Sequence, residues 1–566
     1  MMRTFLVFTY LTFLNCGFVL AQNLNAGIPI FEEAVRRGQV LGEVSNSYSF
    51  QIRPIRLFPK DTSHTFSSIE NFYSKEISGK NSLRKIRFSS LPLVMSNAIN
   101  TKRPYGWGNK GLLPNVGFQT YISTGFFAKF HFLEVQFQPE YVYVQNLPFQ
   151  GFGEEYPRGV VSARFFYWNN GDNPERFGDD PISRFWWGQS SAMLVFGPIS
   201  AGISTENIWW GPGQFNSLTF SANAEGFPHL TLKTNRPIRT PIGKFEAQIL
   251  SGKLENSLLA PTQNEIQNDR YFRKFDGDWR YLNGIHISYN PVFLPNLFVG
   301  FNRTFQQYNK YREKTFNGYF PIFEVFQKET LFQNGNSVAY DSRGQDQQVS
   351  MSFRYLIPKA KMEVYGEMGR RDHAFNWRDF FLNPEHARAY LVGIQKLFSL
   401  PSEGEFIQIR GEITHQQESI NRYVRYPGLI GNQTWHTHGL ARGFVNRGEA
   451  LGVGAGVGSN VQTLELSKVR GLNKRGILLE RLANNQDFYS RAFGQNPERN
   501  PWIDLSIGIL WDEQWNRVIL SGKLQFIKAF NYQWQVEPES RPDFPVGSNV
   551  GSIYSQLNLV YRFNKQ

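Results

Sequence analysis

The sequence predicts an all-β protein: a transmembrane antiparallel outer-membrane β-barrel of about 18 strands, with a small N-terminal helical periplasmic segment. Three observations predict it. The chain opens like an export signal. It is rich in aromatics and yet polar on average. Its extended segments alternate apolar and polar residues, and the links between them alternate short and long.

The signal comes first. Met1-Met2-Arg3 is a short basic region, Thr4 to Leu14 is almost wholly apolar, and Val19-Leu20-Ala21 is a small-residue cleavage site. Residues 1–21 therefore read as a signal peptide, and the mature chain is expected to begin at Gln22. A membrane anchor would need a longer apolar stretch. A lipoprotein signal would need a small residue where Asn15 precedes Cys16. Cys16 is the only cysteine and leaves with the signal, so no disulfide, thiol nucleophile or cysteine metal site is expected. A closed barrel, with every strand paired, would supply the stability instead.

Composition points the same way. Aromatics make up 16% of the chain, yet the mean hydropathy is −0.40. A barrel needs that combination: an apolar outer face, aromatic girdles and a polar interior. No later stretch is long and apolar enough for a membrane helix. The formal net charge of +13 suits anionic partners such as acidic polysaccharide or lipid phosphates. Nucleic acid is not expected as a partner of an exported chain without a basic run.

A strand shows alternate residues to opposite sides. Between 132 and 144, Leu133, Val135, Phe137, Tyr141 and Tyr143 share one face, and Glu134, Gln136, Gln138 and Glu140 the other. Phe245, Ala247 and Ile249 oppose Lys244, Glu246 and Gln248. Ile407, Ile409 and Ile413 oppose Gln408, Arg410, Glu412 and Thr414. Val518, Leu520, Leu524 and Phe526 oppose Arg517, Ser521, Lys523 and Gln525. Leu557, Leu559, Tyr561 and Phe563 oppose Gln556, Asn558 and Arg562. A soluble sandwich alternates too, with the polar face in water, so periodicity alone does not choose between them.

The links choose. Working back from the C-terminus, 535–550 is long, 512–516 short, 484–501 long and 471–474 short. Then 418–460 is long, 399–404 short, 371–386 long, 357–360 short, 309–345 long and 291–295 short. The series ends with 254–279 long, 237–241 short, 209–226 long, 197–198 short, 146–187 long, a short link near Phe130-His131, and 99–116 long. Short turns on one side and long loops on the other mark a Gram-negative outer-membrane barrel. An even strand count puts both chain ends of the barrel on the short-turn, periplasmic side.

Residues 22–85 break the alternation. Phe31 to Leu41 has apolar residues at helical spacing, with Glu32 and Glu33 in the first turn, where they suit the helix dipole. Ser47 to Ile55 reads as a short strand. The expected organisation is thus 1–21 signal, 22–85 a periplasmic segment beside or inside the barrel mouth, and 86–566 barrel.

The densest constellation is Ser204-Thr-Glu-Asn-Ile-Trp-Trp-Gly-Pro-Gly213, with Asn216-Ser217 and Ser221-Ala-Asn-Ala-Glu-Gly-Phe-Pro-His229 beyond it. It starts on an ascending strand and runs into a long external loop. Aromatic faces stack on the apolar side of a pyranose, and carboxylates and amides satisfy its hydroxyls. The plainer reading makes Trp209 and Trp210 girdle residues, with Gly-Pro-Gly turning the chain.

The stretch STENIWWGPGQFNSLTFSANAEGFPHLTL (204–232) resembles the signature of the Wzi-type capsule assembly family. LPLVMSNAINTKRPYGWGNKGLLPNVGFQTYISTGFF (91–127) is similar to the family's early barrel region in Bacteroidetes-like members, as is AVRRGQVLGEVSNSYSFQIRPI (34–55) before it. The resemblance extends from the signal to the last strand and is strongest between about 91 and 253. It implies an outer-membrane barrel with an N-terminal helical segment at its periplasmic side. It also implies a lectin-like role, holding capsular or extracellular polysaccharide at the cell surface. On it, Glu206, Asn207, Trp209, Trp210, Asn216, Asn223, Glu225 and His229 are candidate glycan-binding residues, with Tyr105 and Trp107 behind them. The external loops after 254 depart from the family, and Asn564-Lys565-Gln566 follow the terminal aromatic Phe563.

Other constellations are bland. His436-Thr-His438 lacks a third nearby metal ligand and reads as loop. Gly452 to Gly458 lacks phosphate-loop spacing and reads as a flexible loop. There is no GxSxG or HExxH. Glu134, Glu363, Glu367, Glu412 and Glu465 read as inward carboxylates facing Arg410, Lys523 and Arg562 in a polar lumen. The expectation is a binding protein with no catalytic residues, metal or cofactor. Its expected partners are polysaccharide, outer-membrane lipid and export components at the periplasmic face. A porin or transport channel is the alternative, since a barrel this wide can hold an aqueous pore. An outer-membrane lipase or glycan hydrolase is the third class, with no recognisable nucleophile to support it.

Overall fold

The computed structural model of the protein describes residues 23–24, 28–44, 48–56, 86–324, 344–371, 387–419, 434–494, 499–541 and 543–563. The signal region and the last three residues lie outside them. Eighteen antiparallel strands close into a barrel, the last (Val550–Tyr561) pairing with the first (Ile86–Asn100). Three strands are each interrupted once. They are Leu133–Phe137 with Glu140–Val144, Ile182–Trp186 with Ser191–Phe196, and His229–Thr234 with Ile238–Thr240. Pro139 breaks the first, because it has no N–H to give to a ladder.

Burial decides between barrel and sandwich. Glu134, Gln136, Gln138 and Glu140 are buried, as are Gln408, Arg410, Glu412 and Thr414. The apolar partners face out: Ile413 is 49% exposed, and Ile507 and Ile509 are 52% and 58% exposed. Polar residues inside and apolar residues outside is the reverse of a soluble sandwich and suits a hydrocarbon surround. At the short-turn end Phe130, Phe132, Phe196, Phe293, Phe398, Trp515 and Phe563 are exposed and form an aromatic girdle. Phe132 and Phe196 stack with centroids 5.5 Å apart.

The links follow the expected alternation, with small corrections. The expected 146–187 loop contains the strand Ile182–Trp186, the expected 237–241 turn contains Ile238–Thr240, and the expected 512–516 turn shrinks because a strand runs to Trp515. The N-terminal helix spans Pro29–Leu41, with Pro at its first position and Gly42 closing it at φ 77°. It lies inside the barrel. Every residue from Ile30 to Val40 is buried, including Glu32, Glu33, Arg36 and Arg37. The expected strand at 47–55 is two short pieces, Ile52–Arg53 and Ile55–Arg56.

The outer end is roofed by the long loops. Helix Arg158–Gly171 packs on helix Gln486–Phe493, and Phe152, Tyr156, Phe165, Tyr167, Trp168, Phe488, Phe493, Trp502, Tyr532 and Trp534 form an aromatic core between them. Neither helix was expected from the sequence.

Candidate functional site

The loop 205–228 is the centre of the lumen. It leaves the strand Ile199–Ser204 at the outer end and turns inward instead of projecting from the surface. Trp209 and Trp210 pair antiparallel with Arg53 and Ile52 of the N-terminal segment. The main chains entering from the two ends of the barrel thus meet as one small sheet, extended by Gly211 N–H donating to Gln51 O at 2.8 Å. Neither tryptophan sits in the lipid-facing band: they are 6% and 0% exposed.

Two wall carboxylates hold the loop. Glu412 accepts the backbone N–H groups of Gln214 (2.7 Å), Phe215 (3.1 Å) and Asn216 (2.7 Å), and the Tyr365 hydroxyl at 3.0 Å. Glu367 accepts Leu218 N–H at 3.0 Å. Gly211 has φ 114°, and a Cβ there would lie 2.1 Å from the Glu367 carboxylate, so glycine is needed for both reasons. From the helix, Arg36 donates to Pro212 O at 2.7 Å and pairs with Glu363. Arg53 donates to Gly211 O (2.9 Å), Gly213 O (2.6 Å) and Glu32 (2.9 Å), and its guanidinium lies 4.3 Å from the Trp209 ring centre.

Four of the five inward carboxylates have partners other than those expected, and Glu465 meets Arg410 as expected. Glu134 meets Arg56 and Lys129, and Glu363 meets Arg36 and Arg354. Glu367 and Glu412 hold backbone amides. Of the expected cations only Arg410 recurs, joined to Glu465 and Glu33. Lys474 completes that cluster, 2.9 Å from Glu33 and 3.4 Å from Asp512. Burial alone would raise the Glu33 carboxyl. The charges of Arg410, Lys474 and Arg37 outweigh it and hold Glu33 well below the usual carboxylate range.

Most of the candidate residues are engaged within the protein. Trp210 donates its indole N–H to Gln248 at 2.9 Å and packs edge-on against Phe220. Asn207 bonds Gln189 and Ala224 O, and Glu206 bonds Ser204 and Gln136. Asn216 accepts the Trp107 indole N–H at 3.0 Å, and Asn223 accepts Gly108 N–H at 3.0 Å. Glu225 meets Arg184 at 2.8 Å and Arg447 at 3.3 Å; burial still outweighs these charges and raises its carboxyl. His229 faces Phe227 O at 2.8 Å.

Tyr105, Trp107 and Trp209 differ. They line a cavity of about 270 Å³ between the plug and the wall. Its floor is the start of the N-terminal helix, and its far side is the inward face of strands between Asn460 and Tyr561. The loop 101–116, which carries Tyr105 and Trp107, also folds inward. Tyr105 donates to Glu480 and packs against Trp107 at 5.7 Å. Arg53 and Lys110 also line the cavity and were not among the candidates, although both lie inside the stretches that carried the resemblance.

Two minor expectations also resolve. The Gly448–Gly458 stretch is not a free loop: Leu451, Val453 and Val457 are buried, and Ser221 donates to Leu451 O and Gly452 O. His436 contacts Gln416, His438 accepts the N–H groups of Leu440 and Ala441, and no acid, His or Cys cluster of metal-binding size occurs among the described residues.

Fold and lumen define a class: an outer-membrane β-barrel filled by its own chain. More narrowly, the chain belongs to the capsule assembly protein Wzi family, whose model matches residues 129–533. That is a shorter extent than the signal-to-last-strand resemblance. Among solved structures it is similar to Wzi of Escherichia coli, described as an outer-membrane protein involved in group 1 capsule assembly and as a carbohydrate-binding β-barrel. The TM-score is 0.58 at 12% identity, over 96% of this chain and 99% of that one. OccAB4 of Acinetobacter baumannii (TM-score 0.36, 8% identity, 85% and 99% covered) and OccK11 of Pseudomonas aeruginosa (0.36, 8%, 84% and 95%) are too distant to carry an argument. No curated protein sequence matches the chain.

Proposed function

We propose that this protein is a surface lectin, holding capsular or extracellular polysaccharide at the outer face of the outer membrane and so supporting capsule assembly and attachment. The observation that carries the reading is the closed outer end. The aromatic roof presents Phe166, Tyr271 and Phe272 half-exposed, with Arg270, Arg273, Lys274 and Arg491 exposed around them and Asp269 among them. Arg491 lies over the Phe166 ring at 4.1 Å. Aromatic faces rimmed by cations suit a polymer of sugars bearing negative charge. The E. coli protein of similar fold is described as carbohydrate-binding, which supports the same reading.

In this reading the candidate residues divide. Glu206, Asn207, Trp210, Asn216, Asn223, Glu225 and His229 are a frame beneath the loops, and Tyr105, Trp107 and Trp209 present faces to the lumen. A filled lumen weighs against the channel alternative, and no arrangement described supports a hydrolase. Lipid contacts follow from the exposed apolar band, and export components would meet the periplasmic face. The segment 91–127 is the ground for grouping the chain with Bacteroidetes-like members.

The test is binding of detergent-folded protein to a panel of acidic and neutral bacterial polysaccharides, beside the roof variant Phe166→Ala/Arg491→Ala. Heat-modifiable gel migration checks barrel assembly. Selective binding, weakened in an assembled double variant, is expected. Steady ion conductance in planar bilayers with no polymer bound would overturn the reading in favour of a channel.

A further inference from the structure

The cations lining the cavity fall into two groups. Arg36, Arg53, Arg410 and Lys474 each have a carboxylate within 3.1 Å. Lys110 and Lys523 have none. Lys110 is 5% exposed, and its ammonium makes no hydrogen bond or ion pair among the described residues; Glu140 and Glu32 act on it only through space. Lys523 touches the Tyr554 ring, 4.8 Å from its centre, and makes no ion pair among the described residues. Both belong to one neighbourhood, because Asn109, next to Lys110, donates to the Tyr554 hydroxyl at 3.0 Å. Glu480 accepts from the Tyr105 and Thr463 hydroxyls and its charge partly offsets Lys523 through space, while Glu32 is paired with Arg53.

An ammonium withdrawn from water without a counter-charge is costly. Lys110, buried beside the cavity with no carboxylate in contact among the described residues, leaves a charge that a ligand can supply, and the half-buried Lys523 adds positive potential from the wall. The same cavity carries Tyr105, Trp107 and Trp209, and the Trp209 indole N–H is buried without a hydrogen-bond partner. At about 270 Å³ it lies just under the volume typical of small-molecule sites, roughly 300–1,000 Å³. That admits a single sugar ring and excludes a polymer. A lysine ammonium is a point charge that meets carboxylate and phosphate alike, and a uronic acid carries its carboxylate on the sugar ring itself, within the size the cavity admits.

The geometry points to a second, internal site: the cavity binds an acidic sugar unit, its carboxylate met by Lys110 and its ring packed among Tyr105, Trp107 and Trp209. This goes beyond the surface reading, which does not depend on it. The ligand is a free uronic acid or the acidic end of a glycan chain, and the two share the same chemistry.

The experiment uses the full chain folded in detergent, titrated with D-glucuronate, D-galacturonate and D-glucose. Tryptophan fluorescence and calorimetry report binding. Uronate is expected to bind at least about tenfold more tightly than glucose, with Lys110→Gln removing about tenfold of that, one charge-assisted bond, and the double variant Lys110→Gln/Lys523→Gln at least as much. A uronate-specific rise in the melting temperature of the wild type reads the site without any variant. Equal binding of uronate and glucose, or a double variant that binds uronate like wild type, overturns the proposal. Binding of an acidic polysaccharide but not of its monomer or its short acidic oligomers also overturns it, and leaves the surface reading standing. Binding of the oligomers alone keeps it and identifies the chain end as ligand.

Discussion

Glu412 tests how the lumen is held. Its carboxylate gathers three consecutive backbone amides, Gln214 to Asn216, and the Tyr365 hydroxyl. In Glu412→Gln one oxygen becomes an NH₂ group that turns its hydrogens toward donors; one oxygen holds the main-chain amides of Gln214 and Phe215 and the other the main-chain and side-chain amides of Asn216, so either choice costs two bonds to the loop. Two charge-assisted bonds are lost, at about 1.5–3 kcal/mol each. The loop should therefore open more easily by roughly 3–6 kcal/mol, a hundred- to ten-thousand-fold in the opening equilibrium. The barrel should not follow, because the strand Glu405–His415 is laddered to a neighbour on each side. Hydrogen exchange on the detergent-folded protein reads this directly. Amides 214–216 should lose protection while the ladder amides keep theirs. Leu218, held separately by Glu367, is an internal control. Unchanged protection at 214–216 in an assembled variant would refute the claim that wall carboxylates hold the loop.

Other predictions follow from the same lumen. Arg53→Met and Glu32→Gln should each destabilise, and the double variant should cost roughly 1–3 kcal/mol less than their sum in urea unfolding, because each single change leaves a buried charge unpaired; strict additivity would mean the pair is not coupled. Deleting residues 29–56 should leave an assembled barrel in which amides 209–213 lose hydrogen-exchange protection, since Arg36, Gln51 and Arg53 no longer hold that stretch. The pH dependence of the ligand-free protein should show Lys110. Burial, only partly offset by Glu140 and Glu32, lowers its ammonium from 10.5 to about 8. Between those values the unfolded chain holds a proton that the folded one has released, so stability rises with pH across that window. Lys110→Met should remove the rise in thermal melts. Glu33 works the other way: its lowered carboxyl contributes stability present above its ordinary value of 4.5 and lost progressively as pH falls below it. Glu33→Gln should flatten the acid limb of the same curve.

The wall was legible because its rule is local. Period-two alternation and turn length are written within a dozen residues, so Gln408 to Thr414 could be placed inward without knowing a single neighbour. The plug helix was legible for the same reason, and a place inside the barrel mouth was one of the two positions its sequence left open. Nothing local says that 205–228 turns inward. Its apolar residues have no period, and its partners are far off in sequence: Pro212 finds Arg36, and Asn216 finds Glu412. The Gly448–Gly458 stretch misled because small residues suggest looseness. Here they permit contact, since a Cβ on Gly452 would lie 2.1 Å from Leu218 O. Helix Arg158–Gly171 was hidden because its buried residues, from Val160 to Trp168, surround it instead of forming one stripe. Of the candidate residues, the aromatic and amide types could be read from the sequence. Which of them face space and which face other side chains depended on the closed wall.

The pairing of Ile52–Arg53 with Trp209–Trp210 bears on the order of assembly. The plug is the first part of the barrel protein to be synthesised, and the strand that completes the wall is the last. Lys474 and Glu33, 441 residues apart, join across that interval. A cylinder sealed early would shut the N-terminal segment outside, with only the narrow mouth to re-enter by. Seating the plug while the sheet is still an open, curling ribbon avoids that threading problem. The lumenal contents then act as a mandrel around which the wall closes.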